Sequence, residues 1–397
     1  MSFILHGLLN LPVWGYIVLF LIMTHVTVVC VSVYLHRCQA HRSLELNPIL
    51  VHFIRAYLWL TTGMSTRIWV SIHRKHHSAC DTTEDPHSPQ YFGLRKVLLE
   101  GAELYRQEAD NTETIRCFGQ GTPDDWIERH VYARHHLLGV WLMLGLDFIF
   151  LGAPGITFFA LQMMWIPFWA AGFINGVGHY WGYRNFIVND ASRNISPIGI
   201  LVAGEELHNN HHTFPNSAKL SIKPWEFDVS WFYIKILCAL HLAKVNRVAP
   251  QPKLIEQPKL FVDIDVLQAV MQYRYHVLSS YMRQVLLPVF HMERRQATSL
   301  RHLYRQSKPA LLAEAATHLD EQSQSRLETL LKNSKRLQQV HQMRAKLLTL
   351  WQNHSATTKE MLELLQNWCH QADAMDIPGM REFVTTLKRY SMQTQTH

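Results

Sequence analysis

Cysteine is scarce in this sequence, and several long stretches contain no acidic or basic side chain. The six cysteines have no regular spacing, so the sequence predicts no disulfide framework and fits a reducing compartment. The first twelve residues contain no Asp, Glu, Lys or Arg. A basic amino-terminal segment and a small-residue cleavage site are both missing, so the first apolar stretch is predicted to be a retained anchor.

The stretches without charge predict membrane segments. Residues 11–34 contain no Asp, Glu, Lys or Arg and are long enough to cross about 30 Å of hydrocarbon. Residues 137–178 are mostly apolar and are interrupted by Gly152-Ala-Pro-Gly155, which predicts a turn and a membrane hairpin. Residues 46–65 are also apolar, with Arg55 in the middle.

Histidine, by contrast, is abundant: there are 25, and eight of them form three clusters between residues 36 and 212. Histidines at i, i+3 and i+4 project from one face of a helix, as the ligands of a metal must. A pair at i, i+5 lies roughly 140° apart on an ideal helix, so we expect that pair to straddle a helix end. The clusters are an H-x4-H pair, His36 and His41, and two H-x2-H-H triplets, His73/His76/His77 and His208/His211/His212.

Eight imidazoles exceed the coordination of one zinc ion, so we expect two metals with about four or five nitrogens each. Imidazole suits zinc, copper, iron and nickel, and the ligand type does not select among them. His179, four residues after Asn175, is a ninth candidate, and these two side chains share a helix face. A solvated surface or core position is typical of a single histidine, but it does not account for three regularly spaced clusters.

The metal hypothesis constrains the topology. His41 and His73 reach one site only if the chain between them crosses the bilayer an even number of times. We therefore expect residues 46–65 to be re-entrant or to form an interfacial amphipathic helix, with Arg55 at its polar edge. The positive-inside rule places the clusters on the cytoplasmic face, because basic residues flank them. These are Arg37, Arg42, Arg67, Arg74 and Lys75.

The last third of the chain differs in character. Residues 260–394 are charged, poor in Gly and Pro, and have leucines near i, i+3, i+4 spacing, which predicts a helical extension that Asp376-Ile-Pro-Gly379 interrupts. It is interpreted either as a self-association or docking module or as a passive soluble tail. The net charge of +7 is attributed to basic residues that face an anionic leaflet or substrate head group, and nucleic acid is not expected as a partner.

The order of these motifs resembles the membrane-bound fatty acid desaturases, particularly the Δ9 acyl-CoA (stearoyl-CoA) type, over roughly residues 11–250. The supporting stretches are Trp69-Val-Ser-Ile-His73, Asp85-Pro-His-Ser88 and Gly204-Glu-Glu-Leu-His208-Asn-Asn-His-His-Thr-Phe-Pro215. Where the animal enzymes carry an Arg-Asp pair, this chain has Ser71-Ile72, which leaves the acyl carrier open.

The resemblance implies an all-α fold in which membrane helices carry a cytoplasmic His-rich di-iron cap. Residues 1–250 would form the membrane-embedded desaturase domain, and residues 251–397 a helical soluble extension of unknown role. It also implies two Fe2+ ions, O2 as co-substrate and a long apolar tunnel for the acyl chain. The implied metal ligands are His36, His41, His73, His76, His77, His179, His208, His211, His212 and, through a water, Asn175.

The implied activity is the introduction of a cis double bond, with Δ9 as the expected position, into a saturated long-chain fatty acyl substrate, with acyl-CoA as the expected carrier. The sequence has no H-P-G-G haem-binding segment, so electrons are expected from a separate ferredoxin- or flavin-dependent reductase. The alternatives are a membrane di-iron hydroxylase of alkyl or lipid chains, and a non-enzymatic metal-binding membrane protein such as a metal transporter.

Side chains near the clusters have candidate supporting roles. Metal-bound histidines usually donate their second ring N–H to a carboxylate, and the candidates are Asp85, Asp190, Glu205 and Glu206. Aromatic residues beside the clusters are candidates either for tunnel walls or for an interfacial aromatic belt. They are Trp69, Tyr180 and Trp181.

Overall fold

The structure, a computed structural model, describes residues 2–313, 320–353 and 355–392. The described residues are mostly helical, and their strands form only three pairs of two or three residues each. This confirms the predicted all-α class. The chain divides into two compact units, Met1–Arg184 with Asp190–Ala249, and Asn185–Asn189 with Pro250–His397.

The first unit contains twelve α-helices, three π-helical segments and four short strands. Its α-helices are α1 (Ser2–His6), α2 (Val13–Cys30), α3 (Pro48–Thr62), α4 (Thr66–Ser78), α5 (Pro89–Phe92), α6 (Leu94–Ala109), α7 (Thr112–Phe118), α8 (His136–Leu151), α9 (Pro154–Ile166), α10 (Asn175–Val177), α11 (His208–Thr213) and α12 (Val229–Ala239). Its π-helices are π1 (Val31–Ala40), π2 (Glu128–Tyr132) and π3 (Pro167–Ile174). Its strand pairs are β1 (Leu44–Leu46) antiparallel to β4 (Ala243–Val245), and β2 (Ile198–Gly199) parallel to β3 (Phe227–Asp228).

Within the described residues, two continuous helices are long and apolar enough to cross a membrane: α2 with π1, Val13–Ala40, and α9 with π3 and α10, Pro154–Val177. In the second, only 17% of the most apolar window is buried, as expected of a helix that faces lipid. The predicted hairpin forms where α8 ends at Leu151 and α9 begins at Pro154. Gly152 between them has φ 71°, a left-handed conformation that glycine adopts without strain.

The segment that we expected to be re-entrant or interfacial forms α3. The Asn47 side chain accepts a hydrogen bond from the Ile49 N–H at its start, and Gly63 ends it in a left-handed conformation. One face of α3 is apolar and exposed, with Phe53 71% exposed. We had expected Arg55 to lie at the polar edge of this helix. It is instead buried, with 4% of its surface exposed. The fold brings two carboxylates to it, which a local reading of the sequence could not show.

The second unit has its own hydrophobic core. In that core the rings of Tyr281 and Phe383 lie 5.1 Å apart, and the Trp368 indole N–H donates to the Met343 carbonyl at 2.8 Å. The Asp376–Gly379 break separates its last two helices, as predicted. The elements are β5 (Lys253–Leu254), α13 (Ile264–Gln272), α14 (Arg274–Tyr281), π4 (Met282–Leu286), α15 (Leu287–Gln296), a 3-10 turn (Thr298–Leu300), α16 (Arg301–Leu312), α17 (Glu321–Lys332), α18 (Lys335–Gln352), α19 (Thr358–Asp373), α20 (Met380–Leu387) and β6 (Tyr390–Ser391), with β5 antiparallel to β6.

Candidate metal centre

The first histidine pair lies at the end of the longest apolar helix. His36 is inside π1, and His41 is the residue that follows it, so the pair straddles a helix end as expected. The His41 N–H donates to the His36 carbonyl at 3.0 Å, which is the i→i+5 bond of a π-helix. This wider turn brings the two rings together, with centroids 4.8 Å apart.

The two triplets lie on α4 and α11, as their spacing predicted. The nine predicted histidines are the eight in the clusters and His179, and they come together in two groups. In each group, one nitrogen of every ring lies within 4.8 Å of the corresponding nitrogens of the other rings. The first group has five members: His36, His41, His73, His77 and His211. The second group has four members: His76, His179, His208 and His212.

Ring nitrogens of neighbouring histidines face one another at short distances. In the first group, His211 Nε2 lies 3.0 Å from His36 Nε2 and 2.8 Å from His77 Nε2. In the second group, His179 Nε2 lies 2.9 Å from His208 Nε2. Nitrogen lone pairs this close repel each other unless a cation or a shared proton lies between them, so both groups are suited to bind a cation.

Asn175, the tenth predicted site residue, begins α10 and lies on the wall of a cavity that also includes His208. Gly178 allows the chain to come close to His208, since a Cβ there would lie 2.9 Å from the His208 ring. The chain then turns, and His179 is fully buried beside His208. The structure thus brings Asn175 to the cavity and His179 into the second group.

Carboxylates accept hydrogen bonds from the Nδ1 atoms of four of these rings. Glu205 accepts from His36 Nδ1 at 2.9 Å, Asp85 from His76 at 3.0 Å, and Asp190 from His212 at 3.1 Å. These were three of the four candidates. The fourth, Glu206, instead accepts backbone N–H groups of Val202 and Gly204, so it fixes the loop that precedes α11.

Asp81 is a partner that the sequence reading missed. It accepts a hydrogen bond from His179 Nδ1 at 2.9 Å, and its backbone N–H donates to Asp85 at 2.8 Å. The only signal in the sequence was its position four residues before Asp85, in the same short loop. An Nδ1–H that is held by a carboxylate leaves the Nε2 lone pair free and fixes the direction in which it points.

Burial keeps most of these imidazoles neutral. Desolvation, followed by the charges of neighbouring histidines, holds the pKa well below the ordinary value for His41, His73, His77, His208 and His211. Burial also lowers the pKa of His212 to about 4, although Asp190 opposes this shift. Neutral rings are the form that binds metal, so the centre is ready to bind a cation near neutral pH.

Two further side chains that the sequence analysis did not assign lie beside the second group. Cys80 Sγ lies 3.7 Å from His212 Nδ1 and 3.9 Å from His76 Nε2. Burial raises the pKa of the Cys80 thiol well above its ordinary value, so the thiol stays protonated. The ring centroids of His87 and His76 lie 4.5 Å apart. The sequence indicated His87 only as part of the stretch Asp85-Pro-His-Ser88 and predicted no role for it.

A cavity of about 560 Å³ reaches the histidines, within the range of small-molecule sites. Its walls carry His36, His73 and His208 together with apolar side chains of π1, α4 and α9 to α10. Trp69 lies on the wall and stacks on His73 with centroids 4.9 Å apart. Tyr180 and Trp181 do not line this cavity and are 57% and 64% exposed, which fits their interfacial interpretation and not the tunnel wall.

Comparison with known proteins covers most of the first unit. The family model described as fatty acid desaturase matches residues 12–237. An acyl-CoA C20 Delta5-desaturase of Anemone leveillei is 35% identical over 52% of this chain and 66% of its own length. Delta-9 acyl-lipid desaturase 2 of Arabidopsis thaliana is 30% identical over 54% and 68%. The sn-2 palmitoyl-lipid 9-desaturase of Nostoc sp. (strain 36) is 30% identical over 53% and 73%. The chain thus spans about two thirds of the length of these relatives.

A second family model, described as a transposase, matches residues 268–396. Enzymes that cut nucleic acid commonly use two metals held by a cluster of protein ligands. In the described part of residues 268–396, no three His, Cys, Asp or Glu side chains converge in this way. The match is therefore a likeness in sequence only.

Proposed function

Because the chain belongs to the fatty acid desaturase family, we propose that it introduces a cis double bond into a saturated long-chain fatty acyl substrate, with O2 as the oxidant. The observation that carries this proposal is the convergence of nine imidazoles, from four separate parts of the chain, into groups of five and four beside one apolar cavity. Such nitrogen-only donor sets fit two divalent irons. When bound, the irons supply the activation of O2 that removal of hydrogen from an unactivated methylene needs.

The overall reaction balances without any group from the protein. Two hydrogens leave adjacent carbons of the acyl chain, and O2 is reduced to two waters with two further electrons and two protons. We propose that a separate ferredoxin- or flavin-dependent reductase supplies those electrons.

In this proposal the ten predicted site residues have defined roles. The nine histidines would hold the two irons, and Asn175 would contribute through a water. Asp81, Asp85, Asp190 and Glu205 keep four of the rings oriented. The apolar cavity walls hold the acyl chain and exclude water from the reacting carbons.

Further details of the proposal concern position, topology and domains. We propose Δ9 as the site of the new double bond, supported by the relatives from Arabidopsis and Nostoc that are named as 9-desaturases. The metal face is proposed to be cytoplasmic, and residues 1–250 and 251–397 are proposed as the membrane-embedded desaturase domain and a soluble helical extension. The names of the relatives include both acyl-CoA and acyl-lipid enzymes, and the expected carrier from the family resemblance is acyl-CoA.

Product analysis tests the activity. Expression in a desaturase-deficient bacterium is expected to yield monounsaturated fatty acids, detected by gas chromatography with location of the double bond. Hydroxylated acids without unsaturated ones would favour a di-iron hydroxylase. Purified protein that contains zinc but no iron, and takes up no O2 on reduction, would favour a metal-binding protein that is not an enzyme.

Metal analysis tests the ligands. His211→Ala removes the ring that lies between His36 and His77, so the protein is expected to lose bound iron and all detectable product. The matched control is His130→Ala, because His130 is exposed and stacks only on Trp126. Unchanged iron content and product in the His211 variant would contradict the ligand assignment.

A further inference from the structure

The cavity beside the histidines has exposed residues in its lining, and we call the surface that they form its mouth. Most of its lining residues are buried or half-buried, and the exposed ones lie in two places: the last turn of α6 and the start of α8. They are Arg106, Asp110, Ala133, His136 and Leu137.

The mouth lies at the boundary between polar and apolar surface. After His136, α8 is apolar to its end at Leu151 except for the buried Asp147, whereas the preceding residues, 129–135, are rich in Arg and His. The Trp59 indole N–H donates to the His135 carbonyl at 3.1 Å, and the rings of Trp59 and Tyr132 lie 5.6 Å apart. Tryptophan and tyrosine concentrate at the membrane–water interface, so these rings place the mouth at the level of lipid head groups.

The mouth has little positive charge. Among its five exposed lining residues, all within the described range 2–313, Arg106 is the only Lys or Arg. Its guanidinium lies 3.5 Å from the Glu103 carboxylate, and Asp110 lies at the end of the same helix. Residues 1–250 contain 19 Lys and Arg against 18 Asp and Glu. Recognition of several phosphates, as in coenzyme A, relies on clustered Arg and Lys side chains. The two arginines of residues 129–135 do not line the cavity, and one of them, Arg129, is paired with Asp124 at 2.6 Å.

We propose that the substrate is an acyl chain esterified to a membrane glycerolipid, which enters this mouth sideways from the bilayer; this inference rests on the desaturase function proposed above. The chain extends from the mouth to His36, His73 and His208 at the inner end of the cavity. The ester and head group stay at the interface, where the single cation Arg106 suits one phosphodiester. Movement of an acyl chain from lipid into an apolar cavity exposes no hydrocarbon to water.

A chase experiment separates the carriers. Desaturase-deficient cells that require glycerol are grown with labelled stearate, starved of glycerol so that no new glycerolipid forms, and then induced to make the full-length protein. We expect labelled saturated glycerolipid that was made before induction to become monounsaturated, as detected by mass spectrometry of intact lipids. Unsaturation confined to acyl-CoA or acyl-carrier protein would overturn the lipid carrier and leave the desaturase function standing. If glycerolipid, acyl-CoA and acyl-carrier protein all contain no unsaturated chain, both the lipid carrier and the desaturase function are overturned.

Two neighbouring leucines provide a matched test of the mouth. Leu137 is 58% exposed and lines the cavity, whereas Leu138 is 48% exposed and does not. Leu137→Trp is expected to lower lipid desaturation about tenfold or more, with iron content and thermal stability unchanged. Leu138→Trp is expected to leave lipid desaturation, iron content and thermal stability unchanged. Equal activity of the two variants, both with full iron content, would contradict entry through this mouth.

Discussion

At the residue scale, the centre depends on the carboxylates that orient its rings as much as on the rings themselves. Asp85 accepts from His76 Nδ1 and also from the backbone N–H groups of Asp81 and His87. Burial raises the pKa of Asp85, but the charge of His76 and its hydrogen bond more than offset this, so the pKa lies well below its ordinary value. Asp85 is therefore ionised, and it fixes both a ring and a loop.

Asp85→Asn is expected to lower iron affinity by about 10- to 100-fold, as measured by retention of iron against a chelator, because an amide is a weaker partner for the ring N–H. Glu84→Gln changes the exposed neighbour and serves as the control. Because Asp85 also holds its loop, Asp190→Asn serves as a second variant. It is also expected to lower iron affinity, because Asp190 orients the His212 ring. Iron retention equal to the wild type in both variants would show that the carboxylates are not needed to orient the rings.

At the element scale, α3 is joined to the segment before α8 by a buried cation. Arg55 donates to Asp125 at 2.5 Å and to Glu128 at 2.8 Å, and it lies 5.3 Å from the centre of the Tyr132 ring. The Glu128 side chain is 7% exposed. A buried carboxylate without its cation is costly, so this pairing explains why an arginine sits in an otherwise apolar helix.

Arg55→Met is expected to lower the free energy of unfolding by about 3 kcal/mol, as measured by denaturant titration in detergent, since it leaves Glu128 buried without a cation. Adding Glu128→Gln to this variant is expected to restore part of the loss. The comparison variant is Arg116→Met, which breaks an exposed pair with Glu113 and is expected to cause no measurable change. A similar loss in both single variants would contradict this account of α3.

At the scale of the whole molecule, the surplus of positive charge is unevenly distributed along the chain. Residues 251–397 contain 19 Lys and Arg against 13 Asp and Glu, whereas residues 1–250 contain 19 against 18. The surplus therefore lies mainly in the helical extension.

The buried histidines also make the stability of the metal-free protein depend on pH. Around the metal centre, burial lowers the pKa of seven histidines: His41, His73, His77, His87, His208, His211 and His212. Burial also acts to lower the pKa of His179, but the charge of Asp81 and its hydrogen bond outweigh burial and raise that pKa. In the unfolded chain these side chains titrate near 6.5. Below that pH the unfolded state binds more protons than the native state, so acid destabilises the native protein.

We expect the melting temperature of chelator-treated protein to fall as the pH is lowered from 7.5 to 5. His87→Gln removes one buried ring whose pKa burial lowers to about 3, and it is expected to make the fall shallower. His130→Ala changes an exposed ring and is expected to leave the slope unaltered. A melting temperature that rises on acidification would contradict the burial of neutral rings.

Much of the architecture followed from the sequence because the signals are local. Uncharged runs predicted the long apolar helices, and Gly152-Ala-Pro-Gly155 predicted the turn of the hairpin. Histidine spacing predicted the triplet helices. Asp81 and the partners of Arg55 could not be predicted, because a loop and a distant segment bring them into contact.

The spacing along the chain determined which rings share a helix face, since a residue four positions on returns to within about 40° of its starting direction. Only the tertiary structure decided how the rings divide. In each triplet the i and i+4 rings stay together and the i+3 ring joins the other group: His76 leaves His73 and His77, and His211 leaves His208 and His212. The physical reason is that adjacent residues on a helix point about 100° apart. The packing of α4, α11 and π1 against one another therefore determines which of the two groups each ring joins.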